Sequence, residues 1–370
     1  MKERILIVQT AFLGDIVLST PVFDAIRELH PNVSVDLLTT PAGVELLEGD
    51  PRFETLHAFE KRKGFLGLSS FWSTVSQLKE RNYSKVYSLH RSIRTSLLLS
   101  CAGIGERIGF YDSKARLLYT RCVKRKGSHA VEKFLSILES DWIQEKEIAM
   151  LYDRSMSLPN ACLPGEVPHR DASKPTVLVI PGSAWKTKQW HWTNYRAVTR
   201  ELAEEGFQVF LTGSKTEFQL CEKIRAGSLD IQNVAGKLSL REFATLVFRA
   251  QGVICNDSFA LHVASAAQVP TVAVFCATSP SFGFGPWKNP HAQVVEKSGL
   301  WCKPCRRHGS MECPTGTEHC MRGVTSEEVL HAFRECLSGN GGRRDELKLF
   351  SEMTNKSGYR SLFVLSGEGS

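Results

Sequence analysis

The feature that most constrains this chain is its opening run, Ile5-Leu6-Ile7-Val8-Gln9-Thr10-Ala11-Phe12-Leu13-Gly14-Asp15-Ile16-Val17-Leu18. A short apolar run closed by a turn reads as a buried strand. From Ile16 the period changes, and Leu18, Val22, Ile26 and Leu29 share one helical face. Gly14 allows a sharp turn between the two elements, and Asp15 falls at or just inside the helix start, where the helix dipole favours an acid. Two readings of Asp15 stand side by side. It is a helix-capping side chain, or a carboxylate held at the carboxyl edge of a parallel sheet, where open α/β sheets bind their ligands. Pro21 conflicts with an unbroken helix and predicts a kink or a delayed start.

At 370 residues the chain exceeds what one ordinary core organises, so two domains are expected. Strands are predicted at Val33–Thr39, Thr55–Phe59, Lys85–Leu89 and Arg107–Phe110. Helices are predicted between them at Gly43–Glu48, Leu68–Arg81 and Ile93–Cys101. Between about Ser155 and Lys174 a succession of prolines with little apolar periodicity predicts a linker. A second alternating run follows, with strands at Thr176–Ile180, Phe207–Leu211, Gly252–Cys255 and Thr271–Phe275. Its helices include Asn194–Glu205, Lys215–Arg225, Phe259–Ala267, and two opened by capping boxes, Ser239 with Glu242 and Thr325 with Glu328. The expected fold is α/β, two Rossmann-like domains (1–160 and 175–337) facing a cleft. The Gly-rich polar stretch 338–370 predicts a mobile tail, with Ser361–Leu365 the part apolar enough to dock.

A net charge of +7 fits an anionic substrate or membrane surface but is too modest and dispersed for nucleic-acid binding. Eleven cysteines scattered through apparent core elements fit a reducing compartment, so a cytoplasmic protein is expected. No apolar run approaches the ~18 residues of a membrane span. The start superficially resembles a signal peptide, but Asp15 interrupts its apolar run and no small-residue cleavage site follows.

No Gly-x-Gly-x-x-Gly follows the first strand of either domain, which argues against a dinucleotide cofactor. Walker, nucleophile-elbow and His-Glu-x-x-His patterns are missing as well. Three stretches of the second half converge on strand ends instead. Pro181-Gly182-Ser183 through Lys188-Gln189-Trp190 offers lysines and small residues for close approach to phosphate. Cys255-Asn256-Asp257-Ser258-Phe259-Ala260-Leu261-His262 passes from strand to helix, leaving helix N–H groups as an anion site; alternatively Asp257 or Ser258 is a plain cap and His262 a core residue. Leu211-Thr212-Gly213-Ser214-Lys215-Thr216-Glu217 offers a carboxylate for ribose hydroxyls, or a common first-turn glutamate. In the first half, His90, Arg91 and Arg94 offer cations at a strand end, or a solvated basic turn.

Along these residues the chain resembles the bacterial lipopolysaccharide heptosyltransferases, glycosyltransferase family 9, over roughly residues 4–335. The markers are Phe12-Leu13-Gly14-Asp15 with Ser19-Thr20-Pro21, Arg107-Ile108-Gly109-Phe110, and Pro181-Gly182-Ser183 with Lys188-Gln189-Trp190. Then come Asn256-Asp257-Ser258 with His262-Val263-Ala264, and Thr278-Ser279-Pro280 before Gly285-Pro286. The resemblance implies a B-type glycosyltransferase fold, an ADP-heptose donor and an anionic, lipid-linked inner-core lipopolysaccharide acceptor. It implies Asp15 as catalytic base, Lys188 on the diphosphate, Glu217 on the ribose, and donor contacts at Ser183, Asp257, Ser258 and His262. His90, Arg91 and Arg94 are then acceptor candidates. An inverting transfer without a metal is expected, since no Asp-x-Asp pair suited to a magnesium diphosphate is found. Expected with it are a monomer, peripheral contact with the cytoplasmic face of the inner membrane, and no nucleic acid. Alternatives are another nucleotide sugar, a silent binding protein, or an epimerase of similar build. Cys302, Cys305, Cys313 and Cys320, with His308 and His319 nearby, have the ligand types of a structural zinc site at tight spacing; a disulfide or plain thiols are the other readings.

Overall fold

The computed structural model describes residues 3–60, 64–141, 150–164 and 174–339. Part of the expected linker (165–173) and all of the expected tail beyond Gly339, including Ser361–Leu365, lie outside the described residues.

Two six-stranded sheets account for the architecture. The first contains β1 (Arg4–Gln9), β2 (Ser34–Thr39), β3 (Thr55–Ala58), β4 (Lys85–Ser88), β5 (Glu106–Phe110) and β6 (Arg121–Val123) in the order β3-β2-β1-β4-β5-β6. The second contains β7 (Thr176–Ile180), β8 (Gln208–Leu211), β9 (Ile231–Asn233), β10 (Gly252–Asn256), β11 (Thr271–Phe275) and β12 (Ala292–Glu296) in the order β12-β11-β10-β7-β8-β9. Every pairing is parallel; Val8 lies opposite Ser88 and Ile180 opposite Cys255. The central strands are apolar throughout because helices cover both faces, as parallel sheets require. In each sheet the chain winds outward one way and then returns to wind the other. The reversals fall between β1 and β4 and between β7 and β10, and the crevice at such a point is where open sheets bind ligands.

Behind β1 the chain forms not one helix but two, α1 (Leu13–Leu18) and α2 (Thr20–Leu29), with Pro21 in the first turn of α2. The expected disturbance is therefore a break at Ser19. Its hydroxyl donates to the Asp15 carbonyl at 2.7 Å and accepts from Gln9 at 2.8 Å, which pins the turn beneath Asp15. Both expected capping boxes are present, Ser239 with Glu242 and Thr325 with Glu328. Strands β6 and β9, three residues each, and the short helix Ala130–Leu135 were not legible in the sequence, being too short for a period to register.

The domains meet through an apolar cluster that runs from Ile16 and Val17 to Ala260, Leu261, Val263 and Ala264. Polar pins flank it. The Ala130 amide donates to the Gly283 carbonyl at 2.8 Å, the Leu240 amide to Glu45 at 2.8 Å, and the Trp287 indole to the Arg154 carbonyl at 2.8 Å while stacking on His129 at 4.6 Å. The carboxyl ends of β1, β4, β7 and β10 thus face one another across this junction.

Candidate active site

Asp15 sits in the first turn of α1, its amide bonded to the Phe12 carbonyl at 2.9 Å. Burial pushes its carboxyl up to about 6, against the opposing pull of the Phe12 backbone N–H and the positive fields of Arg125 and Arg91. A capping acid favoured only by the helix dipole would be drawn down. Desolvation winning here marks a carboxylate able to take a proton near neutrality.

Directly against this turn stands His262, on the helix Phe259–Ala266 of the other domain. A Cβ on Gly14 would lie 3.1 Å from the His262 ring, so any larger residue at position 14 would press on the ring across the junction. His262 is buried, its Nδ1 has no partner, and burial draws it down to about 4, so the ring is neutral at physiological pH. Lys188 and Asp257 both act on it electrostatically. The Gly14 turn that carries Asp15 thus meets, from the other domain, the imidazole on which Lys188 and Asp257 act.

The pair itself is tight: Lys188 Nζ lies 2.7 Å from Asp257 Oδ2, which also accepts from the Thr278 hydroxyl at 2.7 Å. Asn256 fixes the two loops together, accepting from the Trp190 amide at 2.9 Å and donating to the Pro181 carbonyl at 2.8 Å. Ser258 is the N-cap of the helix but makes no side-chain cap, and its buried hydroxyl has no partner. An uncapped helix start beside a lysine is an anion site. Ser183, in the same loop as Lys188, accepts from the Gln189 side chain at 2.9 Å through its carbonyl.

Glu217 does close a capping box, taking the Ser214 amide at 2.6 Å and hydroxyl at 2.8 Å on Oε2. Its other oxygen faces the backbone of Gly182, where a Cβ would stand only 1.9 Å away. The cap thus occupies one oxygen and leaves Oε1 at the strand end.

The first-domain cations divide. His90 is held by the Thr10 and Thr95 hydroxyls at 2.9 and 3.1 Å, and Arg94 donates to the Gly67 carbonyl at 2.6 Å beneath the Phe59 ring, so both brace local structure. Arg91 pairs with Asp112 and lies within the field of Asp15. Sequence reasoning missed its companions. Arg125, half-buried over Phe110 with an unpartnered Nε, shares Asp112, and Arg307 of the second domain acts on it electrostatically. Nothing in the run Lys124-Arg125-Lys126 marks the middle cation as the inward one.

All eleven cysteines are free thiols, so the disulfide reading falls. Among the described residues no group of three or more His, Cys, Asp or Glu side chains is placed to hold a metal ion, though the Cys302, Cys305, Cys313 and Cys320 thiols act on one another electrostatically. What their loop does is structural. Thr187 exchanges hydrogen bonds with the backbone of Ser310, its amide and hydroxyl donating to the carbonyl at 3.1 and 2.9 Å and its hydroxyl accepting from the amide at 2.8 Å. The loop is thereby stapled to the turn that carries Lys188.

Comparison with known proteins points to one family. The model of glycosyltransferase family 9 (heptosyltransferase) matches residues 71–315. Lipopolysaccharide heptosyltransferase 1 of Pseudomonas aeruginosa is 25% identical over 346 residues, 88% of this chain and 93% of that one. Lipopolysaccharide heptosyltransferase 3 of Escherichia coli is 24% identical over 292 residues, 75% of this chain and 84% of that one. Among solved structures, the ADP-heptose lipopolysaccharide heptosyltransferase II of E. coli has a TM-score of 0.69 at 22% identity, covering 92% of this chain and 99% of its own. That likeness concerns the fold, two Rossmann-like domains of the B type. With most of its length matched by the family model, the chain belongs to glycosyltransferase family 9, the heptosyltransferases.

Proposed function

We propose that the protein transfers heptose from ADP-heptose to an inner-core sugar of lipopolysaccharide with inversion, Asp15 acting as the base. The observation that carries this reading is the pairing across the domain junction of a carboxyl pushed up to about 6 with the Lys188–Asp257 site at an uncapped helix start. In the proposed reaction the acceptor hydroxyl oxygen attacks the anomeric carbon, its proton passes to the Asp15 carboxylate, and the bond to the ADP oxygen breaks. The charge growing on the departing diphosphate falls on Lys188, on the Ser258 hydroxyl and on the first N–H groups of the helix Phe259–Ala266. These groups supply the stabilisation that other transferases obtain from a divalent cation, so the mechanism is proposed as metal-independent. Asp257 holds Lys188 in position, and Glu217 Oε1 takes a ribose hydroxyl. Arg91, Arg125 and Arg307 form the acceptor side, where carboxylates and phosphates of the core meet guanidinium forks. The acceptor is lipid-anchored, which places the reaction at the cytoplasmic face of the inner membrane.

The test is transfer from ADP-heptose to defined truncated core acceptors, with other nucleotide sugars alongside. Heptosylated product from ADP-heptose supports the reading. Preference for a different nucleotide sugar moves the donor, and donor turnover without any acceptor points to the epimerase-like alternative.

A further inference from the structure

Among the described residues, exposed large apolar side chains gather on one flank of the first domain. Leu68 and Trp72, 60% and 57% exposed, stand one turn apart on the helix Gly64–Glu80. Ile93 and Leu97 stand one turn apart on the helix Ile93–Cys101, and Leu117, 92% exposed, tips the turn Arg116–Leu118. These three elements are neighbours: the first helix packs on the second, and the second on the turn. Arg94, under Phe59 and bonded to Gly67, ties the two helices together, so the stripe is a fixed surface.

The charge around this stripe is one-sided. From 107 to 126 the chain carries seven Lys or Arg and a single acid, Asp112, which Arg91 and Arg125 already answer. Lys114 and Arg116 are exposed beside Leu117, and Lys124 is exposed just after β6. An apolar stripe inside a cationic rim is the pattern of a protein that lies on a membrane. No helix among the described residues is long and apolar enough to cross one. A second copy of the chain is a poor occupant, because pairing this face with itself would press two cationic rims together.

Position adds meaning. The two helices follow β3 and β4, so their first turns lie at the carboxyl ends of those strands, the edge that also carries Asp15 behind β1. We propose that this flank docks on an anionic bilayer surface, with Leu68, Trp72, Leu97 and Leu117 entering the headgroup boundary and Lys114, Arg116 and Lys124 meeting anionic headgroups. The docked domain presents its cleft edge to lipid-anchored acceptor. The inference deepens the proposed transfer and rests on it for the identity of the bilayer, but its test needs no turnover.

The full chain is sedimented with vesicles of phosphatidylcholine alone and of phosphatidylethanolamine with phosphatidylglycerol. Two variants accompany it, Trp72→Ser with Leu117→Ser, and Lys114→Glu with Lys124→Glu. Wild type should bind the anionic vesicles, release them as salt rises and ignore phosphatidylcholine. Each double variant should lose about tenfold or more in vesicle affinity, while transfer to a short water-soluble core acceptor stays at the wild-type rate. The charge reversals touch only exposed side chains and carry the test if the apolar pair unfolds. Wild type failing to bind anionic vesicles, or both variants binding like wild type, overturns the proposal. So does a change of oligomeric state in the variants, which would make the flank a protein interface. Intact vesicle binding with no soluble transfer by wild type would instead count against the transferase reading alone.

Discussion

Asp15 carries two consequences that follow from one shift. Its carboxyl is raised from 3.8 to about 6 in the folded chain, so the folded state holds the proton more tightly than the unfolded state does. Stability linked to Asp15 is therefore full below pH 4 and falls as pH rises through the window from about 4 to about 6. Asp15→Asn should accordingly melt higher than wild type at pH 7, by an amount on the order of 1–3 kcal/mol, readable by calorimetry. A base must be ionised to act, so kcat/KM should climb between pH 5 and pH 7 with a midpoint near 6, and His262, neutral above about 4, should add no limb of its own. Gly182 gives a second test at this scale. A methyl there meets Glu217 Oε1 at 1.9 Å, so Gly182→Ala should raise KM for donor far more than it lowers kcat. The identity of Asp15, Lys188, Ser258 and Glu217 was open to inspection in the sequence because each closes a strand–turn–helix unit. Arg125 and Arg307 were not, because they come together only when separate segments meet, and a period along one segment holds no record of that.

Among the elements, the turn Lys186–Lys188 and the helix Phe259–Ala266 are held as one piece by the Lys188–Asp257 pair and by Asn256. Removing one partner of a buried pair strands the other, a cost of about 3–5 kcal/mol. Lys188→Ala should therefore lower Tm as well as donor affinity. Adding Asp257→Asn should recover much of the Tm by removing the stranded charge, yet leave transfer lost. Recovery of transfer in the double variant would show that Lys188 serves only the fold. The order of the inner strands of both halves was legible because parallel strands covered on two faces are continuously apolar. Pro21 showed in advance that the first helix would be disturbed; that it restarts as a separate helix depends on Ser19 and Gln9, whose bonds only the folded turn reveals. The cysteine loop is itself anchored to this unit through the Thr187–Ser310 bonds.

Taken as a whole, the molecule is two matched sheets whose switch points face each other, closed at the point where Gly14 admits His262. That closure sets the turn carrying Asp15 against the helix that follows Asp257 and Ser258, an arrangement that neither half of the sequence specifies alone. The direct test of this arrangement is transfer from ADP-heptose to a truncated core acceptor by Asp15→Asn and wild type, with donor affinity measured on the same preparations. The predicted result is a loss of about 10²–10⁴-fold in kcat with donor affinity unchanged; an Asp15→Asn protein that transfers at the wild-type rate would contradict the account.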